Sequence, residues 1–167
     1  MSAARDRRLV AVARRHGCRP GLARVIVRRA REHGVPLSLA FALFEHESGF
    51  RKVFGHDPTI YAGAGVVTRV KYLAYRAARR AAGNRPMQGV GEGQLTWWET
   101  QDRADALGGC WTADANVGVA LLTLAARIHE LGEAAGVARY NGAGPAAKAY
   151  SRQVRAAAHV WHQRLTP

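Results

Sequence analysis

The chain is short of acid, of cysteine and of strand-forming segments. Its 167 residues carry twelve Asp and Glu against twenty-five Lys and Arg, a formal charge of +13. So unbalanced a protein is drawn to polyanions, which leaves nucleic acid, an anionic membrane face or an anionic wall polymer as partner classes. Cys18 and Cys110 stand far apart with no C-x-x-C pair. That excludes a thiolate zinc site and predicts two thiols rather than a bridge. The histidines form no H-x-x-x-H pattern, and the glycine-rich segments 61–65 and 89–93 lack the Gly-Lys-Ser/Thr of a phosphate loop. Neither a metal nor another cofactor is therefore expected. No apolar run approaches the eighteen or so residues of a membrane span. The run 9–13 is cut short by Arg14 and Arg15, too early for the apolar core of a secretory signal. Synthesis in the cytoplasm without a signal peptide is expected.

What is present is helical periodicity. The composition is 48% hydrophobic, ordinary for a globular chain, and the length suits one domain over 1–167 with a core that needs no staple. Basic amphipathic patterning over 5–15 is followed by a Leu22, Val25, Ile26, Ala30 stripe that Pro20 opens and Gly34 closes. A third helix begins near Pro36 and ends near Ser48. Residues 49–66 and 83–93 are rich in glycine and read as long loops flanking a basic helix over 68–82. Thr96 with Glu99 has the spacing of a capping box, and Asp114 that of an N-cap for the apolar helix beyond it. Gly132 and Gly136 predict a break before a short segment ending at Tyr140, and a last helix covers 145–165. The expected fold class is all-α, without repeats or low-complexity linkers.

The third helix carries the chemistry. Residues 37–44 read Leu-Ser-Leu-Ala-Phe-Ala-Leu-Phe, apolar on nearly every face, as a helix buried in the middle of its domain would be. At its C-terminal end stand Glu45, His46 and Glu47. Burial and the negative end of the helix dipole both disfavour a charged carboxylate there, and so favour a protonated acid near neutrality. Helical spacing alone does not choose between Glu45 and Glu47. The adjacent Trp97 and Trp98 are read as packing residues, one toward the core and one nearer a groove.

The string Glu47-Ser48-Gly49-Phe50 after a buried helix resembles the Glu-Ser motif of the soluble lytic transglycosylases and goose-type lysozymes, within the lysozyme-like superfamily. Gly91-Glu92-Gly93-Gln94-Leu95 is similar to that family's Gly-Leu-Met-Gln segment, and Tyr140-Asn141-Gly142-Ala143-Gly144 to its Tyr-Asn-x-Gly segment. The three occur in the family's order, and the likeness covers residues 33–155; the basic helices of 1–32 lie outside it. The resemblance implies a lysozyme-like helical fold with long glycine-rich active-site loops, acting on peptidoglycan glycan strands. Glu47 would protonate the leaving oxygen of the β-1,4 bond between N-acetylmuramic acid and N-acetylglucosamine. Ser48 would position, Gln94 would bind a substrate amide or hydroxyl, Tyr140 would orient the Glu47 carboxyl, and Asn141 would hold the loop or the sugar. Two departures stand out. Glu92 occupies a position that is usually apolar in the family. Gln94 also follows Glu47 by 47 residues, because the Tyr72-bearing helix is inserted as an expected lid or rim.

Two chemistries fit one acid. A hydrolase of the inverting type needs a second carboxylate to activate water, and Asp57 or Glu92 would supply it. A lytic transglycosylase closes a 1,6-anhydro product with the substrate's own groups. Hydrolysis, as in a muramidase, is the first expectation. Nucleic-acid binding is the rival class, since Arg19, Arg24, Arg28, Arg29 and Arg31 flank a helix-turn-helix spacing. However, its second helix is apolar and ends in acids, which cannot read bases. A wall-cutting monomer without an export signal fits a bacteriophage endolysin, freed to the wall by another agent or carried in a virion. The basic stretches 5–15 and 148–164 would then touch anionic wall polymer or membrane surface.

Overall fold

The computed structural model describes residues 3–55, 63–85 and 88–166. Among them are eight helices: α1 (Ala3–Arg15), α2 (Pro20–Glu32), α3 (Leu37–Ser48), α4 (Arg69–Ala81), α5 (Trp98–Ala106), α6 (Ala113–Leu131), α7 (Glu133–Asn141) and α8 (Gly144–Leu165). The only strand-like pairings among the described residues are two isolated antiparallel bridges, Val53 with Val66 and Phe54 with Val90. The fold class is all-α, as the periodicity predicts. The chain divides into two compact units, residues 1–46 with 121–167, and residues 47–120.

In the first unit, Pro20 occupies the first turn of α2, where its missing N–H is no loss. The helix closes on Gly34 at φ 68°, with Gly34 N–H donating to Arg31 O and Val35 N–H to Ala30 O at 2.8 Å. This double closure is a Schellman motif, and it satisfies carbonyls that a helix end leaves open. The apolar run of α3 is buried on all sides from Leu39 to Phe44, as an all-round apolar helix must be. Trp161 of α8 is fully buried and stacks on Phe41 with ring centroids 4.9 Å apart. Its Nε1 donates to Glu45 Oε2 at 2.7 Å, so the one polar atom of the indole is satisfied inside the core.

The expected break at Gly136 is absent. Gly132, at φ 79°, caps α7 instead, and Gly136 is a buried residue within that helix. A Cβ on Gly136 would lie 2.6 Å from the Ile128 backbone. The glycine is there for close approach of α7 to the end of α6, not to stop a helix. Ser151 Oγ, donating to Ala134 O at 2.7 Å, ties α7 to α8.

The second unit is built on charges between α4 and α5. Tyr72 Oη donates to Asp105 Oδ2 at 3.0 Å, and Arg76 joins the same oxygen at 2.8 Å. The fully buried Arg79 reaches Asp102 Oδ1 at 2.6 Å, with Arg80 on the other oxygen. Thr68 caps α4 by accepting from Lys71 N–H. With Tyr72, Tyr75 and Arg79 all buried, α4 is part of this unit's core and not the lid or rim that an insertion suggests.

Two expected caps are corrected. Thr96 does not form a capping box: its hydroxyl donates to Gln94 O at 3.0 Å, and α5 starts one residue later with Trp97 at the N-cap and no side-chain bond. Asp114 lies inside the first turn of α6, where its charge suits the helix dipole. The capping oxygen belongs to Thr112, whose Oγ1 accepts from Ala115 N–H at 3.3 Å.

Candidate active site

Glu47 and Ser48 form the last turn of α3. The chain then reverses through two successive left-handed residues, Gly49 at φ 59° and Phe50 at φ 60°. Glycine takes that conformation freely. A phenylalanine does so only when its surroundings hold it, and the buried ring of Phe50 provides the hold. Ser48 Oγ is the second fastening. It donates to Glu92 O at 2.9 Å and accepts from Arg51 N–H at 3.2 Å, while Arg51 Nε donates to Ser48 O. The Glu-Ser and Gly-Glu-Gly-Gln segments, 44 residues apart in sequence, are thus bonded directly to each other.

Gln94 is also left-handed, at φ 47°. Its Nε2 donates to Val53 O at 3.0 Å and to Gly91 O at 2.7 Å, so both amide hydrogens hold backbone. Its Oε1 lies over Gly89 and Gly55, where an added Cβ would come within 2.4 and 2.8 Å of it. Glycines at these two positions make room for the amide. Of the hydrogen-bonding atoms of this amide, the carbonyl oxygen is left for a ligand. Asn116, fully buried on α6, completes the frame: its Oδ1 accepts from Gly93 N–H at 2.8 Å and its Nδ2 donates to Val90 O at 2.9 Å.

The same device recurs at the loop bases. Gln88 donates to Gly55 O at 2.7 Å and exchanges two bonds of 2.8 Å with the backbone of Gly63. Gln101 Nε2 donates to Leu95 O and Gln88 O. Four amide side chains (Gln88, Gln94, Gln101 and Asn116) therefore satisfy loop backbone that no helix or sheet would serve. Sequence reasoning missed three of them. The signal it had was the density of glycine on either side of Gln88, which makes room for a side-chain amide to reach backbone.

Not every candidate residue joins this cluster. Glu92 is fully buried, out of reach of a solvent-borne substrate in this structure. Asp57 lies outside the described residues. Tyr140, half-buried, and Asn141, exposed, end α7 in the other unit. Glu45 is engaged by Trp161 and sits 3.9 Å from Arg164, which gives it a packing role and separates it from Glu47. Trp97 and Trp98 are 54% and 37% exposed, so the expected packing role fails for Trp97 and is at most partial for Trp98.

The titratable groups behind the cluster are held inert. Burial pushes the Cys110 thiol up to about 12, against the smaller opposing effect of the Asn116 hydrogen bond. Cys110 stays protonated and is no nucleophile. No disulfide joins it to Cys18, which is buried as well. Burial also raises the Tyr72 hydroxyl, and the charge of Asp105 with its hydrogen bond adds to it. Among the described residues no group of three His, Cys, Asp or Glu side chains is placed to hold a metal ion. Nor is any helix among them long and apolar enough to cross a membrane. No protein-family model, curated protein or solved structure matches the chain.

Proposed function

We propose that this protein is a peptidoglycan-cleaving glycosidase of the lysozyme-like superfamily, with Glu47 as the general acid. The observation that carries the reading is the Ser48–Glu92 hydrogen bond, which joins two of the segments on which the family resemblance rests. Strain supports it. Of the three non-glycine residues with positive φ among the described residues, Phe50 and Gln94 lie in these two segments, and backbone strain collects at functional sites. Glu47 projects from a helix end that Ser48 and Phe50 hold rigid, as a proton donor to a glycosidic oxygen requires. Gln94 frames the loop and offers its amide oxygen to a sugar N–H or O–H. Release of the wall in this way suits a bacteriophage endolysin.

The burial of Glu92 favours a second reading of the chemistry. Hydrolysis with inversion needs a carboxylate that water can reach, and Glu92 does not offer one, so that route rests on Asp57. Without it the enzyme is a lytic transglycosylase giving 1,6-anhydro ends.

Digestion of purified peptidoglycan by the wild type and by Glu47→Gln, with mass analysis of the fragments, tests both points. Soluble fragments from the wild type and none from the variant are expected. Hydrated reducing ends indicate hydrolysis and anhydro ends transglycosylation. Undiminished release by Glu47→Gln overturns the assignment of the acid.

A further inference from the structure

The helices α1 and α2 pack side by side and leave a groove of two neighbouring lobes, about 300 and 600 Å³, that share Asp6, Val10 and Arg24. Arg7, Arg14 and Arg24 line the first lobe over a floor that includes Val10, Ala11 and Pro20. Two acids also line the groove, and both are already neutralised. Asp6 takes both terminal nitrogens of Arg31, at 2.6 and 2.9 Å, and Glu32 takes Arg29 at 2.8 Å. Arg7, Arg14 and Arg24 have no ion pair among the described residues. The groove therefore carries uncompensated positive charge along an aliphatic channel.

We propose that this groove binds an aliphatic phosphodiester polymer of the bacterial wall. Arg7 and Arg14 stand two helical turns apart, roughly 10 Å along the axis, which suits successive charges on a chain better than a single small anion. Guanidinium groups are matched to phosphodiester oxygens by their planar forks. The other polyanions fit less well. Among the described residues, the groove is lined by no aromatic ring on which a base would stack and no Asn or Gln that would read a base edge. Neither α1 nor α2 has an exposed large apolar side chain among the described residues, as a helix lying in a bilayer surface needs. Choosing the wall as the source of the polymer rests on the function proposed above; the groove itself does not depend on catalysis.

Binding is measured by titration calorimetry with poly(glycerol phosphate), with a twenty-residue oligothymidylate and with phosphatidylglycerol vesicles as the competing probes. Every titration uses full-length protein carrying Glu47→Gln, so catalysis cannot enter the readout. Binding to poly(glycerol phosphate) is expected to be the tightest and to weaken as salt rises. The triple variant Arg7→Gln, Arg14→Gln, Arg24→Gln should lose roughly 10- to 100-fold in affinity and reduce the log–log salt slope by about 2. Arg5→Gln, Arg8→Gln, Arg15→Gln removes the same charge from exposed positions of α1 outside the groove and should stay within about 2-fold of the parent. Equal losses in the two triple variants, no binding of poly(glycerol phosphate) at low salt, or tighter binding of the oligonucleotide or the vesicles would overturn the proposal. Loss of peptidoglycan cleavage by the otherwise wild-type protein carrying Glu47→Gln, with this binding intact, separates the site from the fate of the acid.

Discussion

Ser48 Oγ lies 2.9 Å from the carbonyl oxygen of Glu92 and is itself the acceptor for Arg51 N–H. One buried hydroxyl thus serves two backbone groups, one in the turn after α3 and one in the loop before α5. Replacing Ser48 by Ala leaves both without that partner in a buried place. A loss of about 1–3 kcal/mol in urea unfolding is expected. Under the proposed function, peptidoglycan release should fall as well, because Glu47 shares the helical turn that Ser48 fastens. Full activity from a Ser48→Ala protein that is also fully stable would show that the fastening is idle.

Glu45 and Glu47 are two residues apart, and the proposed function gives them different work. Glu45 satisfies the indole N–H of a fully buried Trp161. Glu45→Ala orphans that donor and removes a charge-assisted bond, an expected loss of about 1–3 kcal/mol with cleavage retained wherever the fold survives. Glu47→Gln should behave in the opposite way, with an unchanged melting temperature and no cleavage. Thermal melts of the two variants beside a fragment-release assay check the contrast, and a reversal would move the catalytic role to Glu45.

The helices were legible in the sequence because their signals are local. Pro20 and Gly34 bracket α2 where expected, and the unbroken apolar run of α3 foretells its burial. The errors arose where a residue had two possible partners. Thr96 has the spacing to cap α5, but its hydroxyl supports the left-handed Gln94 instead. Gly136 resembles a helix breaker, yet it is a contact surface for the Ile128 backbone. The site was half legible. Motif order pointed to Ser48 and Gln94, whereas the bracing by Gln88, Gln101 and Asn116 depends on partners 5 to 33 residues away, which no periodicity records. The packing role of Glu45 depends on Trp161, 116 residues away, which helical spacing does not record.

The ion pairs between α4 and α5 give the protein an acid-labile seam. Burial alone would raise the Asp102 carboxyl, but the hydrogen bond and charge of Arg79, reinforced by Arg80, outweigh it and hold the group below its ordinary value of 3.8. A depressed folded-state value means that the contribution to stability is complete above the unfolded value. It is then lost as pH falls through the lower folded one. Melting temperature should therefore be insensitive to this group from pH 7 to about 5, and drop below about 4. In Asp102→Asn the carboxyl is gone, so this component of the acid dependence should vanish while stability near neutrality is already reduced. Parallel curves for the two proteins between pH 5 and 2.5 would remove Asp102 from the account.

Trp97 stands at the N-cap of α5, three residues beyond Gln94, with more than half of its surface in solvent. An aromatic ring kept in water contributes little to the core, so its removal should leave the fold alone. What an exposed indole offers instead is a flat apolar face against which the C–H face of a pyranose can lie. Under the proposed function, Trp97→Ala is expected to raise KM for soluble glycan fragments by roughly 3- to 10-fold, the scale of an aromatic contact, while kcat and Tm stay near their wild-type values. Trp98, at 37% exposure, has more of its ring against protein, and Trp98→Ala should lower Tm as well. A packing role for Trp97 makes the opposite demand: Tm falls and KM does not move. Steady-state kinetics and a melt on the same two variants distinguish the outcomes.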